Sequence, residues 1–98
     1  MNVICRRTVR GFAAEYPDAA EELDLWFAVA RRSQWRSLLD VRQAFADVDQ
    51  VKSLLIFNIR RNRYRLIVKV DYRASLIMVK EFLTHKEYDR GGWEKWAL

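Results

Sequence analysis

One cysteine, one proline, one histidine and three glycines occur in 98 residues, and each scarcity excludes something. Cys5 alone cannot close an internal disulfide and reads as a small buried residue. With His85 the only imidazole, no Cys/His cluster offers metal-ligand spacing. No metal or other cofactor is expected. The opening stretch Met1 to Arg10 has an apolar run of only three residues before Arg6 and Arg7, which is no secretory signal. Apolar runs fall far short of the ~20 residues that span a bilayer. These absences point to a cytoplasmic protein with no membrane association. No repeat, linker or low-complexity run divides the chain, so residues 1–98 read as a single domain.

Apolar residues are plentiful, at 51% of the chain with four Trp, four Tyr and five Phe, enough for a packed core. The net charge of +5 is unevenly laid out. Residues 13–30 carry Glu15, Asp18, Glu21, Glu22 and Asp24 and no Lys or Arg. Residues 52–73 carry Lys52, Arg60, Arg61, Arg63, Arg65, Lys69 and Arg73 against Asp71 alone. That split suggests an acidic solvent face and a basic working face, or else cations that keep a strand edge soluble.

The hydrophobic period changes once along the chain. Residues 2–5 form a short β-branched segment, a first strand. Val9, Phe12, Ala13 and Tyr16 recur at helical spacing, and Pro17 ends that helix. Asp18 with Glu21 resembles a capping box opening a second helix, whose buried stripe is Leu23, Trp26, Phe27 and Ala30. Ser37 with Asp40 caps a third helix through about Phe45, and residues 46–50 read as a loop. From there the period is two: a strand over 53–59, a turn over 60–62 with Asn62 able to adopt a left-handed conformation, then clean alternation. Tyr64, Leu66, Val68, Val70 and Tyr72 take one face; Arg63, Arg65, Ile67, Lys69 and Asp71 take the other. Residues 76–84 are apolar on both sides except Lys80 and Glu81, which marks an internal strand. The expected fold is α+β, with an N-terminal strand and two to three helices on one face of a mainly antiparallel sheet.

Arg63, Arg65 and Lys69 then share the face away from the helices, a cradle for phosphates. Two registers are open for Lys80. A three-residue loop over 73–75 sets it on the core side with Val68, and a two-residue loop over 74–75 sets it opposite Lys69. The cost of burying an unpaired lysine favours the second.

Directly after the last strand, Thr84-His85-Lys86-Glu87-Tyr88-Asp89 supplies an imidazole, an ammonium, carboxylates and a phenol. His85 is structural or functional; a strand end beside an arginine row favours function. Glu87 and Asp89 are either carboxylates of a site or caps of a helix start. Trp93 and Trp96, beyond Gly91-Gly92, are expected to pack back on the body of the domain.

Phe57-Asn58-Ile59, then Asn62, then Tyr64-Arg65-Leu66, and finally Thr84-His85-Lys86-Glu87-Tyr88-Asp89 resemble the HigB toxins of the RelE/ParE superfamily. Arg6-Arg7, Pro17-Asp18-Ala19 and Trp35 fit the same pattern. One departure is Arg61, where that family often has glycine. The resemblance implies a RelE-like fold and a metal-free endoribonuclease that cuts mRNA, commonly on the ribosome. It also implies a HigA-type antitoxin carrying a helix-turn-helix domain. On that reading His85, Arg65, Lys86 and Tyr88 carry the chemistry, while Arg60, Arg61, Arg63, Lys69, Lys80 and Asn58 bind RNA. With one histidine, a two-imidazole mechanism within the chain is excluded. A gyrase-poisoning toxin of the ParE type and a non-catalytic RNA-binding module are the alternatives.

Overall fold

The computed structural model describes residues 1–4 and 6–97; Cys5, and with it the expectation of its burial, lies outside them. The chain runs β1 (Asn2–Ile4), α1 (Arg6–Glu15), a 3-10 turn (Pro17–Ala19), α2 (Ala20–Arg32), α3 (Leu38–Ala44), β2 (Asp49–Val51), β3 (Leu54–Ile59), β4 (Tyr64–Asp71), β5 (Leu76–Thr84), α4 (His85–Asp89) and a 3-10 tail (Gly92–Ala97). The five strands form one sheet in the order β1-β5-β4-β3-β2, antiparallel except for the β1–β5 pair. β5 is internal, as its apolar character predicts. None of the described helices is long and apolar enough to cross a membrane.

Helices α1, α2 and α3 cover one face. The periodic residues Val9, Leu23, Trp26, Ala30 and Val41 are buried against Leu55, Phe57, Leu66, Val68, Ile77, Val79 and Phe82 of the sheet. Tyr64, Leu66, Val68, Val70 and Tyr72 all join this core, so the period-two alternation correctly sorted β4. Phe27, expected in the buried stripe, is only partly buried.

Several local expectations are overturned. Asp18 does not cap α2, whose N-cap is Ala19 without a side-chain bond. Its carboxylate instead accepts from the Arg63 guanidinium at 2.9 Å and from the Tyr64 hydroxyl at 2.8 Å. The two partners together occupy the carboxylate that a cap of α2 would require. Asp40 likewise turns back to the Arg36 amide at 3.0 Å, so Ser37 stands as the N-cap of α3 without a side-chain bond. Part of the loop expected over residues 46–50 is strand: β2 begins at Asp49 and pairs with β3 through a tight reversal at Lys52, φ 54°.

The left-handed positions of the β3–β4 turn are Arg60 and Arg61, at φ 54° and 61°, not Asn62. Ile59 pairs with Tyr64, so the chain must reverse immediately after β3. The Glu22 carboxylate fixes the reversal by accepting from the Arg60 amide at 2.7 Å. A non-glycine residue in this region costs ~1–2 kcal/mol, against ~0.5–1 kcal/mol of extra chain entropy for glycine. Arg61→Gly is therefore expected to stabilise the fold by about 0.5 kcal/mol, measured as a higher urea midpoint.

Neither register foreseen for the last hairpin is adopted. Asp71 faces Leu76 across a turn over residues 72–75, and Val68 faces Val79. The pairing then shifts so that Ile67 faces Glu81, leaving Lys80 as the unpaired residue of a bulge. The bulge keeps apolar residues in the core on both sides and leaves Lys80 half-exposed.

The face opposite the helices is not open. Trp93, 5% exposed, packs there with Leu54, Ile56 and Ile67, flanked by Val51, Leu83, Tyr88 and Ala97. Trp96 lies nearer the Lys80 end, donating its Nε1 to Glu81 at 2.8 Å, with Lys80 Nζ 5.3 Å from its ring. Both tryptophans pack back on the sheet as expected, and in doing so they divide that face.

Candidate active site

A row of cations along β4 was expected; the tail splits it. Fully buried Ile67 separates Arg65 from Lys69, which lie about 13 Å apart at ~3.3 Å per residue. Arg63 leaves the row because Asp18 draws its guanidinium to the helical side. Arg60 and Arg61 sit in the exposed turn beside Glu22. The Asp18 carboxyl is held below its usual range by hydrogen bonds from Arg63 and then Tyr64. This contribution is present above the unfolded aspartate pKa of about 3.9 and is lost as pH falls through the lower folded value. Asp18→Asn should flatten the loss of thermal midpoint between neutral pH and about pH 3, read from melts across that range.

What the fold does assemble is a cluster at the end of β5. Thr84 caps α4: its hydroxyl accepts from the Glu87 amide at 3.2 Å, and the Glu87 carboxylate accepts from the Thr84 amide at 2.9 Å. Glu87 is thereby a structural cap. The His85 amide donates to the Arg63 carbonyl at 2.9 Å, which ties the helix start to β4. His85, Tyr88 and Asp89 lie on one side of this short helix at i, i+3 and i+4 spacing.

Arg65 reaches this side from β4. Its NH1 donates to the carbonyls of Asn62 at 3.0 Å and Tyr64 at 3.3 Å. Its NH2 stands 3.5 Å from His85 Nδ1, and its guanidinium lies 5.2 Å from the Tyr88 ring centre. His85 Nε2 is 3.4 Å from Asp89 Oδ2. Both imidazole contacts are long, and the neutral form that satisfies both carries its proton on Nε2. Tyr88 stacks on Trp93 with centres 4.9 Å apart at 7°, and Trp93 Nε1 donates to the Tyr88 carbonyl at 2.9 Å. Burial, reinforced by the Asp49 charge, pushes the Tyr88 phenol up, with Arg65 opposing. At neutral pH it is a hydroxyl donor.

Arg65, His85 and Tyr88 are thus brought together. Lys86 is exposed and takes no part in their contacts, Lys80 lies against the Trp96 ring of the tail, and buried Ile67 separates Lys69 from Arg65. Asn58, paired across the strands with Arg65, does border the cluster and donates to Asp47 at 3.0 Å. Asp89, left open from sequence as a site carboxylate or a cap, stands beside His85, while Trp93, Arg42, Asp47 and Asp49 also belong to this region and were not assigned there from sequence. A cleft of about 610 Å³ adjoins it, bounded by Arg42, Asp47, Asp49, Asn58, Arg65 and Tyr88. Only the return of β2 alongside β3 brings the α3–β2 residues there, and no local pattern signals that.

Known proteins bear on this arrangement. Residues 19–91 match the HigB toxin family, described as the RelE-like toxic component of a toxin–antitoxin system. The chain is 25% identical over 92 residues to the mRNA interferase toxin HigB of Escherichia coli (strain K12), covering 91% of this chain and 88% of that protein. It is 24% identical over 93 residues to an mRNA interferase HigB of Escherichia coli O6:H1, covering 92% and 90%.

Proposed function

The chain belongs to the HigB family of RelE-like toxins, which implies an antitoxin partner, and from that premise we propose that it is an mRNA interferase acting at Arg65, His85 and Tyr88. The observation that carries the reading is the convergence of guanidinium, imidazole and phenol from β4 and α4 beside an open cleft.

Metal-free cleavage by the RNA's own 2′-OH needs a base for that hydroxyl, charge stabilisation at phosphorus and an acid for the departing 5′-oxygen. Arg65 holds the scissile phosphate with a planar, permanently charged fork. Asp89 keeps the His85 proton on Nε2, so Nδ1 faces the substrate with a free lone pair once Arg65 turns to phosphate. The 2′-oxygen–phosphorus bond forms as Nδ1 takes the hydroxyl proton, and the phosphorus–5′-oxygen bond breaks as the Tyr88 phenol supplies a proton to the leaving oxygen. Lys86 beside His85 and the Arg60–Arg61 turn add charge that draws in the RNA backbone. The long apo contacts of His85 are compatible with this role, since such bonds tighten on binding substrate. A HigA-type helix-turn-helix antitoxin and the ribosome complete the setting in the cytoplasm.

Induction in cells followed by mapping of new RNA 5′ ends tests the reading. Discrete mRNA cuts are expected, and His85→Ala should lower their frequency by about 10²-fold or more at equal protein level. A DNA-damage response without cuts would instead identify a gyrase poison.

A further inference from the structure

We infer that the cleft beside Arg65 is a nucleobase subsite selecting a base with an exocyclic amine, an inference that rests on the reading that this chain cuts RNA at Arg65 and His85. The cleft shares Arg65 and Tyr88 with that cluster, so its occupant is the nucleotide next to the scissile phosphate. Its volume of about 610 Å³ falls within the ~300–1,000 Å³ of small-molecule sites.

The lining determines the chemistry of the ligand. Ile56 and Val48, both buried, form an apolar floor of the cleft against which one face of a flat ring can lie. The rim carries the carboxylates of Asp47 and Asp49, which repel a second phosphate but accept from N–H groups. Asp47 Oδ2 is engaged by Asn58 Nδ2, and Asp49 Oδ1 by the Gln50 amide at 2.9 Å. Asp47 Oδ1, Asp49 Oδ2 and Asn58 Oδ1 therefore remain as acceptors, with Arg42 as the facing donor. Adenine, cytosine and guanine each present an amino group to such a rim. Uracil presents two carbonyls and one N–H, and its carbonyls would face carboxylates.

Carboxylate-to-amine pairs of this kind discriminate between bases by roughly tenfold or more. The test is an amide chemical-shift titration of the full chain with the 5′-monophosphates of adenosine, cytidine and uridine, and with ribose 5-phosphate. Shifts at residues 47–49 and 58 are expected, with binding about tenfold tighter for adenosine and cytidine than for uridine. Asp47→Asn/Asp49→Asn should erase that difference, since amides also donate to uracil carbonyls. Equal affinities for all three, no shifts at these residues, or the same shifts with ribose 5-phosphate would overturn the subsite. Cut-site maps supply a second measurement. Uracil should be depleted beside wild-type cuts and restored beside cuts of the double variant, and an unchanged base distribution in an active variant refutes the inference. If folded wild-type protein makes no cuts, the cleavage reading fails, and the titration still decides the subsite by itself.

Discussion

Replacing Arg65 by alanine is expected to slow mRNA cleavage by about 10²–10³-fold, the range for loss of one preorganised donor to a developing oxyanion, with the thermal midpoint little changed. The two outcomes separate because Arg65 is partly exposed and contributes little to either apolar cluster. Its guanidinium is held by the carbonyls of Asn62 and Tyr64 and by the Tyr88 ring before any substrate arrives. Arg65→Lys keeps the charge but loses the fork, the carbonyl bonds and the planar contact, so it should restore less than about a tenth of the parent rate. Single-turnover cleavage of a defined transcript under conditions where the parent chain is active measures both variants. Parent-level cutting by Arg65→Ala would remove Arg65 from the chemistry.

Trp93→Ala should cost about 3 kcal/mol of folding free energy, toward the lower end for deleting a buried aromatic, read by urea denaturation. Trp93 is the main cover of Leu54, Ile56 and Ile67, and it also fixes α4 through the Tyr88 stack and the bond to the Tyr88 carbonyl. Cleavage should fall with stability, because α4 has only five residues and is too short to hold itself in place. Trp93→Phe keeps a ring against Tyr88 and gives up the N–H bond, a loss of about 1 kcal/mol. In Trp93→Ala, hydration of the Tyr88 phenol should bring its pKa back toward the ordinary tyrosine value, visible in a spectroscopic titration. A phenol unmoved by the substitution would place the cause of its upward shift elsewhere.

Much of this arrangement is legible from residue order, and the rest fails for identifiable reasons. Alternation over residues 63–72 assigned the faces of β4, because one side is buried and a slip would invert every side chain. The Thr84–Asp89 run pointed to the end of β5, where His85 and Tyr88 meet Arg65, since its residue types are chemically distinctive. What local pattern does not reveal is where distant charges meet. Arg63 reads as part of a cation row until Asp18, far away in sequence, is placed beside it. The bulge at Lys80 arises from a conflict between turn length and core alternation, and neither registers in a single strand. The tail divides the basic face because Trp93 has an apolar surface to cover, and only the assembled sheet displays that surface. Arg60 and Arg61 hold left-handed positions because a Glu22 carboxylate on another element holds the turn there, against their own preference.

The pairing of β1 with β5 has a consequence for how such a toxin comes into being. β1 bonds to no described strand but β5, so the first strand waits for residues 76–78 before it has a strand to pair with. Arg65 likewise waits for His85 and Tyr88, and these wait for Trp93. Pairings of such long sequence separation close late. The cluster proposed as the catalytic centre therefore stays incomplete on a growing polypeptide until the stretch from His85 to Trp93 has been made and folded back on β4.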